Sequence, residues 1–335
     1  MAVGILLVGG FGTRLMPLTR NTPKPMLPVA GLPVTEHQLA MAKNAGITTV
    51  VLATSYLSEV FIPYFGDGSK FGMKLLYAVE KEPLGTGGAI RNAANLLDNN
   101  ESIVIFNGDV LSSHNLRGQI DFHEKNSADV TLHLTQVEDA RAYGCVPTDS
   151  NMRVTAFLEK MENPPTNMIN AGCYIFKPSV MDEIAPDTVV SIERETFPKL
   201  VKEGKKVFGY LDQSYWLDIG TPKALMQGSR DLVSGVADAL ALRDATVTSH
   251  STEALVMAPA QVDASAKISG ASSIGRGATI AANATVVGSI IGDDVVVGEG
   301  AHIINSFIAA GTHIAENANI SGSYCEKGEV TSLNL

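Results

Sequence analysis

An aliphatic ladder in the last quarter of the chain constrains its fold more than any other feature. An aliphatic side chain, or once a cysteine, recurs at Val262, Ile268, Ile274, Ile280, Val286, Ile291, Val297, Ile303, Ile308, Ile314, Ile320 and Cys325. The step is six residues, with three steps of five. Small and turn-forming residues fill the intervals, as in SIGRGA, TIAANA, VVGEGA and HIAENA. Such a period suits one flat face of a three-sided coil: an inward aliphatic, a short strand, a tight turn. Residues 255–335 are therefore expected to form a left-handed parallel β-helix of hexapeptide repeats. A Gly/Ala-rich linker would not keep its aliphatics in register. A coil end is exposed unless covered, and stacking on a second subunit would cover it. The repeats are expected to build a homo-oligomer and to carry no chemistry. Hexapeptide domains can transfer acyl groups through a histidine, but His302 and His313 each fall just before an inward aliphatic, with no partner residue in view.

Residues 1–230 follow a different rule. Strand patterns at Val3–Val8, Thr49–Ala53, Lys74–Val79, Ile103–Phe106 and Val130–Thr135 alternate with helical patterns near Glu36–Ala45, Ser58–Phe65, Gly87–Leu97 and Leu116–Asn126. Apolar strands spaced by helices imply an α/β, Rossmann-like domain with a mostly parallel or mixed sheet covered on both faces. Further strands are expected at Ile169–Lys177, Val207–Leu211 and Ser214–Ile219. Residues 231–254 are read as a linker or bridging helix.

The first strand pattern runs directly into GGFGTRLMPLTRNTPKPMLPVAG. Glycines at Gly9, Gly10 and Gly12 let backbone N–H groups approach phosphate oxygens. Arg14 offers them a planar fork and Lys24 a compact charge. The Walker sequence GxxxxGK[ST] is absent, and Pro17, Pro23, Pro25 and Pro28 block the helix that a dinucleotide fingerprint would open. The formal charge of −10 excludes broad binding to nucleic acid or an anionic membrane. An anionic substrate must be attracted locally. Cys145, Cys173 and Cys325 are too few and too scattered for a disulfide scaffold or a cysteine-rich zinc site. With no stretch long enough to span a membrane and an N-terminal apolar run too short for a signal peptide, a cytoplasmic protein is expected.

Other segments carry chemistry. EKEPLGTGGAIRNAA, from Glu80, leads glycines into a helix whose N–H groups could face a ligand. FNGDV puts Asp109 at a strand end, LEK contains Glu159 and Lys160, and YWLDIGTP contains Asp218. Two aspartates at strand ends can ligate one hard divalent cation.

In their order along the chain these motifs, together with INAGCYIF and SIERETFP, resemble those of sugar-1-phosphate nucleotidyltransferases. VGG in the first motif, EPLGT and SIERE-FP look like the mannose-1-phosphate guanylyltransferases of that family, above all actinobacterial ones. The resemblance implies attack of a sugar-1-phosphate oxygen on the α-phosphorus of a nucleoside triphosphate, with loss of pyrophosphate. GTP and mannose-1-phosphate would be the substrates and Mg²⁺, or Mn²⁺, the cofactor. It places Gly9, Gly10, Gly12 and Thr13 on the triphosphate, and Arg14 beside the departing pyrophosphate. It places Lys24 on the phosphate under attack, and Asp109 and Asp218 on the cation. Gly85, Thr86, Gly87 and Gly108 fall on the nucleotide side, and Gly144, Glu159, Lys160 and Asn170 around the sugar phosphate. One departure is visible: the usual EKP is here Glu159-Lys160-Met161, which implies a looser turn.

The base can be argued from the residues. Guanine presents two donors that one carboxylate can accept, whereas thymine and uracil suit an amide better. The base-side segment holds Glu80 and Glu82 and no glutamine. A thymidylyl- or uridylyltransferase for glucose-1-phosphate, or an inactive sugar-nucleotide-binding homologue, are the alternatives. The intact set Arg14, Lys24, Asp109, Lys160 and Asp218 speaks against the latter.

Overall fold

The computed structural model describes residues 2–10, 12–55, 58–80, 82–98, 100–333 and 335. The chain divides into two compact units, Met1–Gly10 with Gln38–Trp216, and Phe11–His37 with Leu217–Leu335. These do not follow the expected cuts at 230 and 254. The glycine-loop continuation, 11–37, belongs with the repeats.

The first unit is built on a nine-stranded mixed sheet. Its central strands are Ala2–Leu7, Thr49–Thr54, Lys74–Val79 and Ser102–Asn107. They are parallel, in the edge order 102–107, 2–7, 49–54, 74–79. Their interiors are almost wholly aliphatic and buried, as at Ile5, Val51 and Ile105, because both sheet faces are covered. Met168–Phe176 joins antiparallel to 102–107 and turns the sheet mixed. It also pairs antiparallel with Val130–Gln136, which holds Val207–Leu211 in parallel on its other side. The helices Gly85–Ala94 and Leu116–Lys125 lie within a residue or three of their expected bounds. At the second, Asn115 caps the start by accepting the Gly118 N–H at 2.9 Å.

The second unit contains the β-helix. Its strands form one seven-stranded sheet and two four-stranded sheets. Every inward aliphatic pairs with the one three rungs on: Ile274 with Ile291, Ile280 with Val297, Val286 with Ile303, Ile291 with Ile308. The coil is therefore three-sided. The first rungs repeat after eighteen residues, as Val262 with Ile280, and later ones after seventeen, which accounts for the steps of five. The shorter coil is made possible by a column of buried serines at one corner. Ser272, Ser289 and Ser306 each accept the backbone N–H of the serine seventeen residues later, at 3.1 Å, and each donates to a carbonyl within 2.8 Å. The stretch 231–254, expected to be a linker or a bridging helix, contains helix and strand. Pro222–Ser234 is a helix, and Val247–His250 and Ala254–Met257 are the first strands of the seven-stranded sheet. Their alternation is short and partly exposed, so it lacks the hexad signature.

Candidate functional site

In the first unit, the carboxyl ends of the parallel strands carry the expected loops along one sheet edge. Gly9 and Gly10 follow the 2–7 strand and are exposed. Gly108 follows the 102–107 strand, and its N–H donates to the Leu7 carbonyl at 2.9 Å, which sets the half-buried Asp109 at the turn. Glu80 follows the 74–79 strand, its N–H donating to the Thr54 carbonyl at 3.0 Å. Burial raises the Glu80 carboxyl above its ordinary pKa, and among the described residues its buried Oε1 accepts no hydrogen bond. Glu82 is exposed. The two glutamates, equivalent in sequence, thus differ in kind.

The PLGTGG glycines have a packing reason that sequence alone did not reveal. The Gly87 N–H donates to the Val190 carbonyl at 2.8 Å and so does not face a ligand. The Thr86 hydroxyl donates to Glu193 Oε2 at 2.8 Å and accepts the Ile192 N–H at 2.9 Å. Gly85 opens the helix and is exposed. The SIERETFP motif folds as a π-helical turn, Ile192–Thr196, capped by the Ser191 hydroxyl.

Glu193 and Arg194 of that turn act electrostatically on Glu159. Burial first, then the Glu193 charge, raises the Glu159 carboxyl, and Lys160 and Arg194 oppose them. Lys160 Nζ lies 3.7 Å from Glu159 Oε1. Gly144 pairs across a two-residue ladder with Glu159, and a Cβ there would stand 2.8 Å from Glu159 Oε2 and 2.9 Å from the Phe157 ring. Only glycine leaves that carboxylate its seat. Asn170 sits where the 168–176 strand shifts register against 130–136. The roles of Glu193 and Arg194 went unassigned from sequence; a serine cap followed by alternating charge was the available signal.

In the second unit, Gly12 has left-handed backbone (φ 57°), and its carbonyl accepts the Thr19 hydroxyl at 2.9 Å. That turn leads into Thr13–Leu15, with Thr13 and Arg14 exposed, while Lys24 is buried. Asp218 lies between the two cations: Lys24 Nζ is 3.9 Å from Oδ1, and Arg14 Nη2 is 3.9 Å from Oδ2. Both distances are at the outer limit of an ion pair. Gly220 completes the seat. A Cβ there would stand 2.6 Å from Arg14 Nη2 and 2.9 Å from Asp218 Oδ1. Sequence reasoning did not single out Gly220.

The same unit fastens this loop to the repeats. The Ala30 N–H donates to Ser229 Oγ at 2.9 Å, and Gly31 lies against Met257. Asn21 donates to Glu326 at 3.2 Å, and Arg20 stands 3.6 Å from Glu329. Arg230, from the 222–234 helix, donates to the Gly288 carbonyl at 2.8 Å and to Asn305 Oδ1 at 2.9 Å. His302 and His313 are exposed on the outer faces of their strands.

The nucleotidyl transferase family model matches residues 3–235. The chain belongs to this family. This nucleotidyl transferase is 50% identical over 300 residues to a mannose-1-phosphate guanylyltransferase of Mycobacterium tuberculosis, covering 89% of this chain and 82% of that one. It is 37% identical over 232 residues to a mannose-1-phosphate guanyltransferase of Saccharomyces cerevisiae, covering 68% of this chain and 63% of the yeast protein. Its fold matches a crystal structure of a putative glucose-1-phosphate thymidylyltransferase from Bacillus anthracis with a TM-score of 0.63 at 24% identity, over 68% of this chain and 94% of that one. HddC from Yersinia pseudotuberculosis matches with a TM-score of 0.61 at 26% identity, over 69% and 99%. Among the described residues, no helix is long and apolar enough to cross a membrane.

Nucleotidyl transferases of this family generally use a divalent metal. Among the described residues, no group of three or more His, Cys, Asp or Glu side chains is gathered as an all-protein cage. Asp109 of the first unit and Asp218 of the second each offer carboxylate oxygen, the donor type that a hard cation takes together with water and phosphate oxygens.

Proposed function

We propose that this nucleotidyl transferase moves a guanylyl group from GTP to mannose-1-phosphate, giving GDP-mannose and pyrophosphate. The observation that carries the reading is 50% identity across 89% of the chain to a mannose-1-phosphate guanylyltransferase. The chemistry asks for positioning and charge neutralisation rather than acid–base catalysis, since the attacking sugar phosphate is already an anion at neutral pH.

In our reading, the exposed amides at Gly9, Gly10, Gly12 and Thr13 take triphosphate oxygens. Arg14, exposed beside Asp218, takes the leaving pyrophosphate. Lys24, buried and 3.9 Å from Asp218 Oδ1, holds the phosphate under attack. Lys160 takes the sugar phosphate, and Glu159, with Asn170 and the space left by Gly144, takes sugar hydroxyls. Gly85, Thr86, Gly87 and Gly108 shape the nucleotide side, Thr86 and Gly87 by fixing the 190–193 segment. Asp109 and Asp218 would hold Mg²⁺, or Mn²⁺, which neutralises phosphate charge when bound. Glu80 reads guanine: the Leu84 N–H holds its carboxyl, and among the described residues its buried Oε1 accepts no hydrogen bond and is left for a guanine donor. We also read the protein as cytoplasmic, its free cysteines all buried, and as a homo-oligomer through the β-helix, whose ladder residue Val262 is 37% exposed.

A matrix of nucleoside triphosphates against sugar-1-phosphates, read by pyrophosphate release, tests the reading. GTP with mannose-1-phosphate should turn over fastest, and chelation of divalent cations should stop it. Glu80→Gln should lower GTP preference by about 1–3 kcal/mol and gain relative use of dTTP or UTP. Wild-type preference for UTP with glucose-1-phosphate would refute it.

A further inference from the structure

Inside the first unit, one buried run of hydrogen bonds reaches from the turn that carries Asp109 to the irregular part of the 168–176 strand that carries Asn170. It begins on the helix Val34–Asn44. Gln38, 5% exposed, aims its amide nitrogen at two main-chain carbonyls, Asn107 at 2.6 Å and Val110 at 3.0 Å. These carbonyls bracket Gly108 and Asp109, so one side chain pins both ends of the turn. The Asn107 side chain continues the run: its Oδ1 accepts the Tyr174 hydroxyl at 3.1 Å. That hydroxyl in turn accepts Asn170 Nδ2 at 3.3 Å, and Asn170 Oδ1 accepts the Gly172 N–H at 3.2 Å.

The packing around the run is as specific as its bonds. Gly172 has φ 80°, and a Cβ there would stand 3.1 Å from Asn107 and 3.2 Å from Val110. The strand irregularity and the aspartate turn therefore touch through a position with no side chain. Trp216 clasps the same irregularity from outside, donating to the Ala171 carbonyl at 2.9 Å. The Tyr174 ring is fully buried, edge-on to Phe197 with centroids 5.1 Å apart. Apolar contacts fix the ring, and the hydroxyl alone reaches the polar run. A buried tyrosine could be satisfied by any one acceptor. Here it joins two asparagines from two different strands, one beside each half of the candidate site.

We propose that Tyr174 and Gln38 are positioning residues: the buried run Gln38–Asn107–Tyr174–Asn170 couples the turn holding Asp109 to the strand irregularity holding Asn170, so that cation binding and sugar-phosphate binding favour one another. Neither Tyr174 nor Gln38 touches substrate. The inference rests on the reading that Asp109 faces the cation and Asn170 the sugar. Its physical basis is that outer-shell hydrogen bonds fix the orientation of the groups that bind. Removing the hydroxyl leaves Asn107 Oδ1 and Asn170 Nδ2, both on half-buried side chains, without that shared partner and free to reorient independently.

Tyr174→Phe keeps the ring and deletes one atom. Mn²⁺ binding to the free protein, followed by electron paramagnetic resonance, should weaken about tenfold. KM for mannose-1-phosphate should rise several-fold, KM for GTP should stay within about twofold, and the cation should no longer tighten sugar-phosphate binding. Gln38→Met, which removes both donors to the turn, should weaken Mn²⁺ binding and change the sugar-phosphate KM less. A purely structural role would lower the melting temperature and leave Mn²⁺ affinity and the coupling as in the wild type; that result overturns the proposal. Should Tyr174→Phe fail to fold, Gln38→Met decides: weakened Mn²⁺ binding supports the proposal and unchanged binding overturns it. Mn²⁺ binding does not depend on which base or sugar is used. A wild type that prefers UTP with glucose-1-phosphate would defeat the proposed function, while the same variant contrast, measured with that sugar phosphate, would still judge the coupling.

Discussion

The α/β sheet of the first unit and the β-helix of the second both bury aliphatic strands, but they treat irregularity in opposite ways. The β-helix repeats one solution. Every rung stacks an aliphatic on an aliphatic seventeen or eighteen residues away, and a serine column closes the same corner each time. The sheet carries its candidate site residues where regularity fails: the tight turn at Gly108, the register shift at Asn170, the π-helical turn at Ile192–Thr196. Regular hydrogen bonding satisfies its own polar groups and leaves none for a ligand, whereas a break in a ladder exposes amides and carboxylates at a defined place. Unit 2 adds a qualification. Its regular coil shares a compact unit with the loop that carries Arg14 and Lys24.

That sharing yields the largest expected effect. The sequence reading treats the repeats as chemically silent, so a chain ending near Val233 would keep some activity if it stayed in solution. In the structure the loop 11–37 would then lose Met257 behind Gly31 and the Glu326 and Glu329 contacts to Asn21 and Arg20. Turnover of such a chain should fall by about a hundredfold or more, since small misplacement of positioned charges is that costly. Retained turnover in a soluble, folded truncation would return the repeats to assembly alone.

Acid should separate the two regions next. Burial depresses His114 and His123 to about 4. Burial first, then the charge of His114 stacked on it with ring centroids 3.9 Å apart, holds His133 well below its ordinary value. Asp212 and Asp129 oppose this without reversing it. A folded pKa below the unfolded 6.5 means that the unfolded chain binds the extra proton. Stability is therefore full above about pH 6.5 and falls as pH drops toward 4, on the order of 3 kcal/mol for each of His114 and His123. These three lie in the first unit; the second unit holds one such group, the buried His37, also depressed to about 4, while its His250, His302 and His313 are exposed. Hydrogen exchange at pH 5 should show the sheet amides opening before the β-helix amides, and the reverse order would contradict this account.

Within the coil, Ile303→Ala removes a fully buried rung side chain. It should cost about 2–5 kcal/mol in denaturant unfolding and leave kcat close to wild type. The smallest change expected is at the corner. Ser306→Ala removes the acceptor of the Ser323 N–H and the donor to the Ile304 carbonyl, so the melting temperature should drop by a few degrees, about 1–2 kcal/mol. If Ser306→Ala proves as costly as Ile303→Ala, the corner rather than the apolar ladder sets coil stability.

The hexad, the alternating strand and helix patterns and the charged motifs were legible in the sequence because each is local. An inward aliphatic must recur with the coil, and a phosphate loop must be glycine-rich whatever packs around it. The position of Asp109 and of Glu159 was legible for the same reason. Tertiary structure alone decided which glutamate is dehydrated, Glu80 and not Glu82, since burial depends on neighbours from other strands. It also decided that the Gly87 amide is spent on Val190, that Gly220 makes room for Arg14 beside Asp218, and that residues 247–257 join the β-helix. It brought Gln38, Asn107, Tyr174 and Asn170 into one run. Each of these is a contact between residues distant along the chain, and no local pattern encodes the partner.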